Sequence, residues 1–405
     1  MNKKIELLAP AGDLERAKTA IRFGADAVYL GGKRFSLRSR ASNFDIEDIK
    51  EACDFAKEYG ARIFVTVNMI PHEEDLEGLE EYLKTLEAIG VSAVIVASLH
   101  IVETVKRVAP KLEAHLSTQM SVVNSTAIKF FEKFKMDRVV LGRECTMEQI
   151  KEISSHTSMP LEAFIHGGMC CNYSGRCTLS NAMTLRDANR GGCAQSCRWS
   201  YHLMNGEEEL SVEGNPFSMS SKDLMAGKYL YDLMEANVAS LKIEGRMKSN
   251  YYIACIVSAY RRMIDEIART EQPLSEERLV YYQRELAKGE NRPASVGFYA
   301  GLPTPNEQLY DSNAGHVTHD FVGLILGYDE EKKRAIVQSR NVFCVGDKIE
   351  VFGPRKEPKS FVVEAIYDKE DLSIEKSNKP MEVVSVPIPF EVSEYDMMRR
   401  DEYVI

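Results

Sequence analysis

The most constraining feature of this chain is an alternation repeated eight times. Short apolar runs, "IELLAP", "DAVYLGG", "RIFVTVN", "AVIVAS", "EAHLSTQ", "RVVLGRE", "LEAFIHGG" and "SLKIEGR", are separated by segments such as "DIEDIKEACDFAKEYG". The separating segments carry apolar residues at three and four spacing and end on glycine, which reads as amphipathic helices. Strand then helix, eight times over residues 1–270, predicts a (β/α)8 TIM-like barrel with a parallel inner sheet. An open doubly wound sheet fits less well, because no glycine-rich phosphate loop follows the first strand.

In such a barrel the active site lies at the C-terminal ends of the strands. The residues just after the apolar runs are therefore the candidates: Arg40, Asn68, Ser98, Gln119, Arg143 with Glu144, His166, and Glu244 with Arg246. After the seventh strand the repeat is interrupted by about 70 residues where one loop and one helix would suffice, and insertions of this length in compact domains are usually functional.

Five cysteines fall early in that insertion. Cys170, Cys177, Cys193 and Cys197 have six, fifteen and three residues between them, and Cys171 adjoins Cys170. Glycines at 167, 168, 175, 191 and 192 give the chain the turns needed to bring thiolates together. A zinc site would use four thiolates but usually at closer paired spacing. An iron–sulfur cluster tolerates wider spacing, and unligated thiols are the third reading. Cys53, Cys145, Cys255 and Cys344 lie in or beside predicted helices and strands and read as packing residues.

A length of 405 residues exceeds what one core usually organises, so a second domain is expected. Residues 271–295 read as a connecting arm. From about residue 296 to 405 the pattern becomes period two with turn signals, predicting a small closed or nearly closed β-barrel. The N-terminal apolar run is too short for a signal peptide, and no stretch of about 18 apolar residues occurs, so the expected location is cytoplasmic, without membrane association. Thiols are then expected to be reduced. The net charge of −10 argues against general affinity for nucleic acid, although "RCTLSNAMTLRDANR", "CRWSY" and "EGRMKSNYYI" are locally basic or aromatic.

Residues 162–180, "EAFIHGGMCCNYSGRCTLS", resemble the signature of the U32 family, historically called collagenase-like peptidases, through Glu162, Phe164, Gly167, Cys170, Gly175, Cys177 and Ser180. "LLAPAG", "NRGGCAQSCRWSY", "SSKDL", "LKIEGRMKS" and "GFYAG" extend the resemblance over essentially the whole chain. It implies a [4Fe–4S] cluster on Cys170, Cys177, Cys193 and Cys197, and oxygen-independent hydroxylation of tRNA, ribosomal RNA or a quinone precursor. For the long form with a C-terminal β-barrel it implies tRNA as partner, 5-hydroxyuridine at the wobble position as product and prephenate as hydroxyl source. A scaffold role beside a shorter paralogue of the same family is the non-enzymatic alternative. The peptidase name finds no support in a G-x-S-x-G or H-E-x-x-H motif, since "PHEED" lacks the second histidine.

A dicarboxylate donor needs cations, and arginine's planar fork suits it. Arg40, Arg143 and Arg246 are the candidates, with Lys222 and Gln119 as further substrate contacts. His166 is the expected acid or base, or else a residue packed beside the cysteines, and Glu144 is the second catalytic candidate. Tyr173, Trp199 and Tyr201 lie in the insertion, where aromatic faces either stack on an unpaired base or shield the cysteines from water. The C-terminal barrel is a candidate grip on the anticodon arm, by fold analogy alone.

Overall fold

The computed structural model describes residues 5–37, 43–211, 217–289, 292–309 and 321–400. Eight strands form the expected closed parallel barrel: β1 (Glu6–Pro10), β2 (Ala27–Gly31), β3 (Arg62–Val67), β4 (Ala93–Val96), β5 (Glu113–Leu116), β6 (Arg138–Val140), β7 (Leu161–Gly167) and β8 (Ser240–Ile243). β8 closes the ring by pairing with both β1 and β7.

Helices begin where the sequence supplies a side chain for their unpaired N–H groups. Asp13 accepts the Arg16 N–H at the start of α1 (Leu14–Arg22), and Asp45 and Asp48 form a reciprocal capping box on α2 (Ile46–Glu58). α3 (Leu79–Ala88), α4 (Leu99–Val108), α5 (Ser125–Glu132) and α6 (Met147–Ser155) continue the outer ring. In the insertion lies the short α7 (Leu179–Thr184), and α8 (Leu230–Glu235) restores the repeat before β8. α9 (Asn250–Thr270) closes the barrel with fifteen buried residues, and none of the described helices is long and apolar enough to cross a membrane.

Inside the barrel, Leu8, Ala27, Tyr29, Phe64, Ala93 and Ile95 make a separate apolar cluster. Beneath it runs a chain of buried charges. Arg138 Nη1 donates to Glu6 (2.6 Å) and Glu162 (3.0 Å), Glu162 accepts from Lys242 Nζ (2.7 Å), and Arg62 pairs with both Glu6 and Glu113. Isolated charges at such depth would be very unfavourable, but here each has an opposite partner.

The stretch expected to be a connecting arm contains a helix, α10 (Glu276–Ala287), packed against α9. The start of the second domain also differs from expectation. Ala294–Ser295 pairs with the insertion strand Asp223–Met225, Gln308–Leu309 pairs with Ser220–Ser221, and the Tyr299 hydroxyl donates to the Phe164 carbonyl (2.7 Å). Residues 294–309 thus belong with the barrel, because their backbone groups and the Tyr299 hydroxyl find their hydrogen-bond partners there. Within the described residues, the second sheet starts at Phe321 rather than near residue 296. It has eight antiparallel strands between Phe321 and Arg400, curled around its own core of Val322, Ile325, Val337, Phe343, Ile349, Phe361 and Val386 among others.

The two domains meet through aromatic and ionic contacts. Tyr251 stacks on Phe321 at 5.1 Å, and Phe23 meets Phe352 at 6.0 Å. Arg399, 1% exposed, donates to Glu350 (2.6 Å) and Glu285 (3.0 Å).

Candidate functional site

At the C-terminal mouth of the barrel lies a cavity of about 410 Å³, a size typical of small-molecule pockets. Its lower wall comes from strand side chains that point inward, Tyr29, Thr66, Ile95, Val140, Phe164 and Lys242. The insertion builds its upper wall with Cys170, Cys171, Cys177, Cys193 and Cys197. Five cations, Arg143, Arg198, Lys242, Arg246 and Lys248, face three carboxylates, Glu144, Asp223 and Glu244. The excess of positive charge favours an anionic occupant.

The cysteine loop is held by its neighbours rather than by its own secondary structure. Glu144 Oε1 accepts from the Ser174 N–H (2.8 Å) and hydroxyl (3.0 Å), and Ser121 Oγ donates to the Ser174 carbonyl (2.5 Å). Gly175 sits at φ +74°, where a Cβ would overlap the Gln119 carbonyl oxygen. Only glycine permits both the left-handed turn and this close approach. On the other side, Asn189 Nδ2 donates to the Cys177 carbonyl (3.1 Å).

The thiols lie around one wall without drawing to a single point: among the described residues, no three His, Cys, Asp or Glu side chains are arranged to hold one metal ion. Cys171, set apart from the expected ligands by its adjacency to Cys170, is directed at Cys197. Their contact holds the Cys197 thiol down at about 6 against the opposing effect of burial, with Arg198 helping. Asn172 Nδ2 lies 3.3 Å from both Cys171 and Cys177 Sγ. Five thiols on one wall match the donor chemistry of an iron–sulfur cluster, which takes one thiolate per iron at separate corners. A single zinc ion would instead gather four thiolates around one centre.

Several expected site residues converge on the cavity. Arg143 lies over the Phe164 ring at 4.4 Å and donates to the Gly168 carbonyl. Arg246 donates to Ser36 Oγ (3.1 Å) and Asn43 Oδ1 (2.8 Å), so it ties the loop after β2 to the end of β8. Gln119 Oε1 accepts from Asn68 Nδ2 (2.9 Å) and the Ser117 hydroxyl (3.0 Å), and Tyr173 lines the opening, half exposed. Arg40 lies outside the described residues.

Others do not converge. His166 is fully buried outside the barrel wall, with Nδ1 3.2 Å from the Tyr260 hydroxyl on α9 and its ring beside Tyr252. The cause is a register shift: Lys242 pairs with Phe164 but Ile243 with His166, so one residue of β7 is bulged out and the next side chain faces the opposite way. Burial, reinforced by Lys248, pushes the imidazole down to about 3, and a neutral, enclosed ring is not an acid or base for a ligand in this cavity. Lys222 is absent from the cavity wall, its backbone being tied to Glu307. Trp199 and Tyr201 are absent from the cavity wall, which Arg198 lines. The Tyr201 hydroxyl donates to the Ser196 carbonyl (2.7 Å), and its pKa is raised by burial and by the nearby Cys197 and Cys171, which fits shielding of the cysteines. Glu144 does line the cavity; it spends its Oε1 on the loop and buries Oε2 without a partner among the described residues, an arrangement that positions the loop.

Sequence reasoning missed Lys242. Its Nζ sits 4.5 Å from the Tyr29 ring centre at the cavity floor, and burial lowers its pKa against the pull of Glu162. The alternation within "SLKIEGR", which turns Lys242 inward opposite buried Leu241, was the available signal.

The description "Peptidase family U32" matches residues 12–309, and "Peptidase family U32 C-terminal domain" matches residues 317–399. The tRNA hydroxylation protein P1 of Bacillus subtilis (strain 168) is 44% identical over 405 residues, covering 99% of this chain and 96% of that protein. The 23S rRNA 5-hydroxycytidine C2501 synthase of Escherichia coli (strain K12) is 42% identical over 265 residues, 65% of this chain and 40% of that protein. Among solved structures, the C-terminal domain of a Geobacillus thermoleovorans protein described as a U32 peptidase is 38% identical, covering 20% of this chain and 99% of that one, with a TM-score of 0.20.

Proposed function

The chain belongs to peptidase family U32, and on that footing we propose that it hydroxylates RNA, forming 5-hydroxyuridine at the wobble position of tRNA. In this reading prephenate is the hydroxyl source and a [4Fe–4S] cluster is held by Cys170, Cys177, Cys193 and Cys197. The observation that carries it is the 44% identity, sustained over 99% of the chain, with a protein named for tRNA hydroxylation. The cysteine-walled, cation-rich cavity supports it in kind.

When bound, the cluster supplies an electron path or an open Lewis-acidic iron at the cavity wall. The chain's own residues do the rest. Arg143 and Arg246 present guanidinium forks to the carboxylates of a dicarboxylate donor, and Lys242 adds a cation at the floor. Phe164 and Tyr29 give that floor its apolar faces, and Tyr201 limits water at the thiols. Glu144 fixes the loop on which the thiols stand.

The test is mass spectrometry of nucleosides from bulk tRNA in a deletion strain complemented with wild type or with Cys177→Ser. Loss of 5-hydroxyuridine in the deletion, restored only by wild type, is the expected result. Unchanged tRNA in every strain sinks the substrate assignment.

A second reading has ribosomal RNA as substrate, on the 42% identity to the 5-hydroxycytidine synthase over 65% of this chain. Nucleosides of 23S rRNA from the same strains discriminate the two. Proteolysis has less support: no histidine among the described residues lines the cavity, so neither its serines nor its cysteines have an imidazole partner there.

A further inference from the structure

α7 stands in the insertion with Leu179 and Ser180 in the cavity wall at one end and Leu185 at the other. Leu185 combines two unfavourable features. Its backbone is left-handed, at φ +54°, a conformation that suits glycine or asparagine at this position of a helix end. Its side chain is also 95% exposed, the most exposed large apolar residue described.

The post that carries it is firm. The Leu185 N–H donates to the Asn181 carbonyl (3.0 Å), Ser180 Oγ accepts from Ala194 N–H (3.1 Å), and the Asp187 carbonyl accepts from Gly192 N–H (2.6 Å). An apolar side chain held out in water on a fixed support is explained by a partner that covers it.

The surroundings indicate which partner. Half-exposed Tyr173, Met183, Trp199 and Met247 belong to the segments that frame the same mouth. Between residues 168 and 201 the chain has four arginines, Arg176, Arg186, Arg190 and Arg198, against one acid, Asp187, although the whole protein carries −10; of the four, Arg190 is paired with Asp75 and Glu74. A polyanion with flat apolar faces fits this patch, and a single-stranded nucleic-acid loop has both.

We propose that Leu185 is a wedge that enters the base stack of a bound RNA loop and fills the gap left when the target base turns into the cysteine-lined cavity. Drawing a base out of its stack leaves a hole that an apolar side chain can occupy, as wedge residues do between base steps. The inference rests on the RNA-hydroxylation reading.

An RNA stem-loop carrying 2-aminopurine next to the target uridine tests it, with the cluster-loaded full chain as wild type, Leu185→Ala, Leu185→Gly and Leu185→Met. Wild type and Leu185→Met are expected to raise the fluorescence on binding. Leu185→Ala and Leu185→Gly should lose most of that rise and bind about tenfold more weakly, the scale of one lost stacking contact. Leu185→Gly suits the positive φ, so its failure cannot be assigned to misfolding. Wild-type fluorescence changes in both truncations would overturn the wedge while leaving RNA hydroxylation intact. A wild-type protein that binds no RNA would overturn the reading on which the wedge rests.

Discussion

One carboxylate oxygen of Glu144 accepts both the backbone N–H and the hydroxyl of Ser174, so a single residue at the end of β6 pins the loop that carries Cys170, Cys171 and Cys177. Hydrogen bonds to a charged acceptor contribute about 1.5–3 kcal/mol each. Glu144→Ala should therefore let the loop open, and maleimide labelling of the half-buried Cys177 in metal-free protein should speed up by at least roughly tenfold. Labelling at the wild-type rate would remove Glu144 from its positioning role.

His166 makes stability depend on pH. Its folded-state pKa of about 3 lies below the unfolded 6.5, so the unfolded chain binds the extra proton between those values. Stability from this residue is complete above pH 6.5 and declines by about 1.4 kcal/mol per unit as pH falls toward 3. Thermal midpoints of wild type and His166→Gln at pH 7.5 and 5.0 measure it. The wild type should lose more on acidification, and equal losses would contradict the buried, neutral ring.

Arg399 joins the second domain to α10 of the barrel side through Glu285, and pairs within its own sheet with Glu350. Arg399→Ala leaves two buried carboxylates without this partner and should cost about 3–5 kcal/mol in denaturant unfolding. Arg399→Met, which fills the space but not the charge, leaves the same carboxylates and should rescue only part of the loss.

Arg143 is expected to act on binding of a small anion. Arg143→Lys keeps the charge but loses the fork and its face over Phe164. A roughly tenfold rise in the KM for prephenate, the proposed donor, with kcat little changed, is the expected pattern. A fall in kcat at constant KM would place Arg143 in the chemical step instead.

What the sequence discloses, and what it hides, has a physical boundary. The barrel was legible because every strand had to bury both faces and every helix one, and those demands write apolar runs and three-and-four spacing into the chain. The cysteine wall was legible because five thiols and five glycines have few other uses together. His166 misled because its direction depends on one bulged residue opposite β8, and local alternation does not record a register shift. Lys222 misled for a similar reason, as pairing of Ser220–Ser221 with Gln308–Leu309 leaves it out of the cavity wall that the next residue, Asp223, lines. That distant pairing also explains the misplaced domain boundary: period-two patterning marks where strands begin, not which sheet takes them. Leu185 carried no signal, since an exposed leucine in a loop is unremarkable until its φ is known.

The barrel's axis is stoppered. Leu8, Phe64 and Tyr29 fill the centre, the Glu6–Arg138–Glu162 ion pairs span the space below, and Lys242 tops them at the chamber floor. Among the described residues the chamber above is therefore closed along the axis and opens at the mouth, and traffic through it must be queued. Any small reactant that shares the chamber with a macromolecule covering the mouth has to board before the macromolecule arrives, and its spent form waits behind it until it departs. Compulsory order in steady-state kinetics would be the outward sign of that plug.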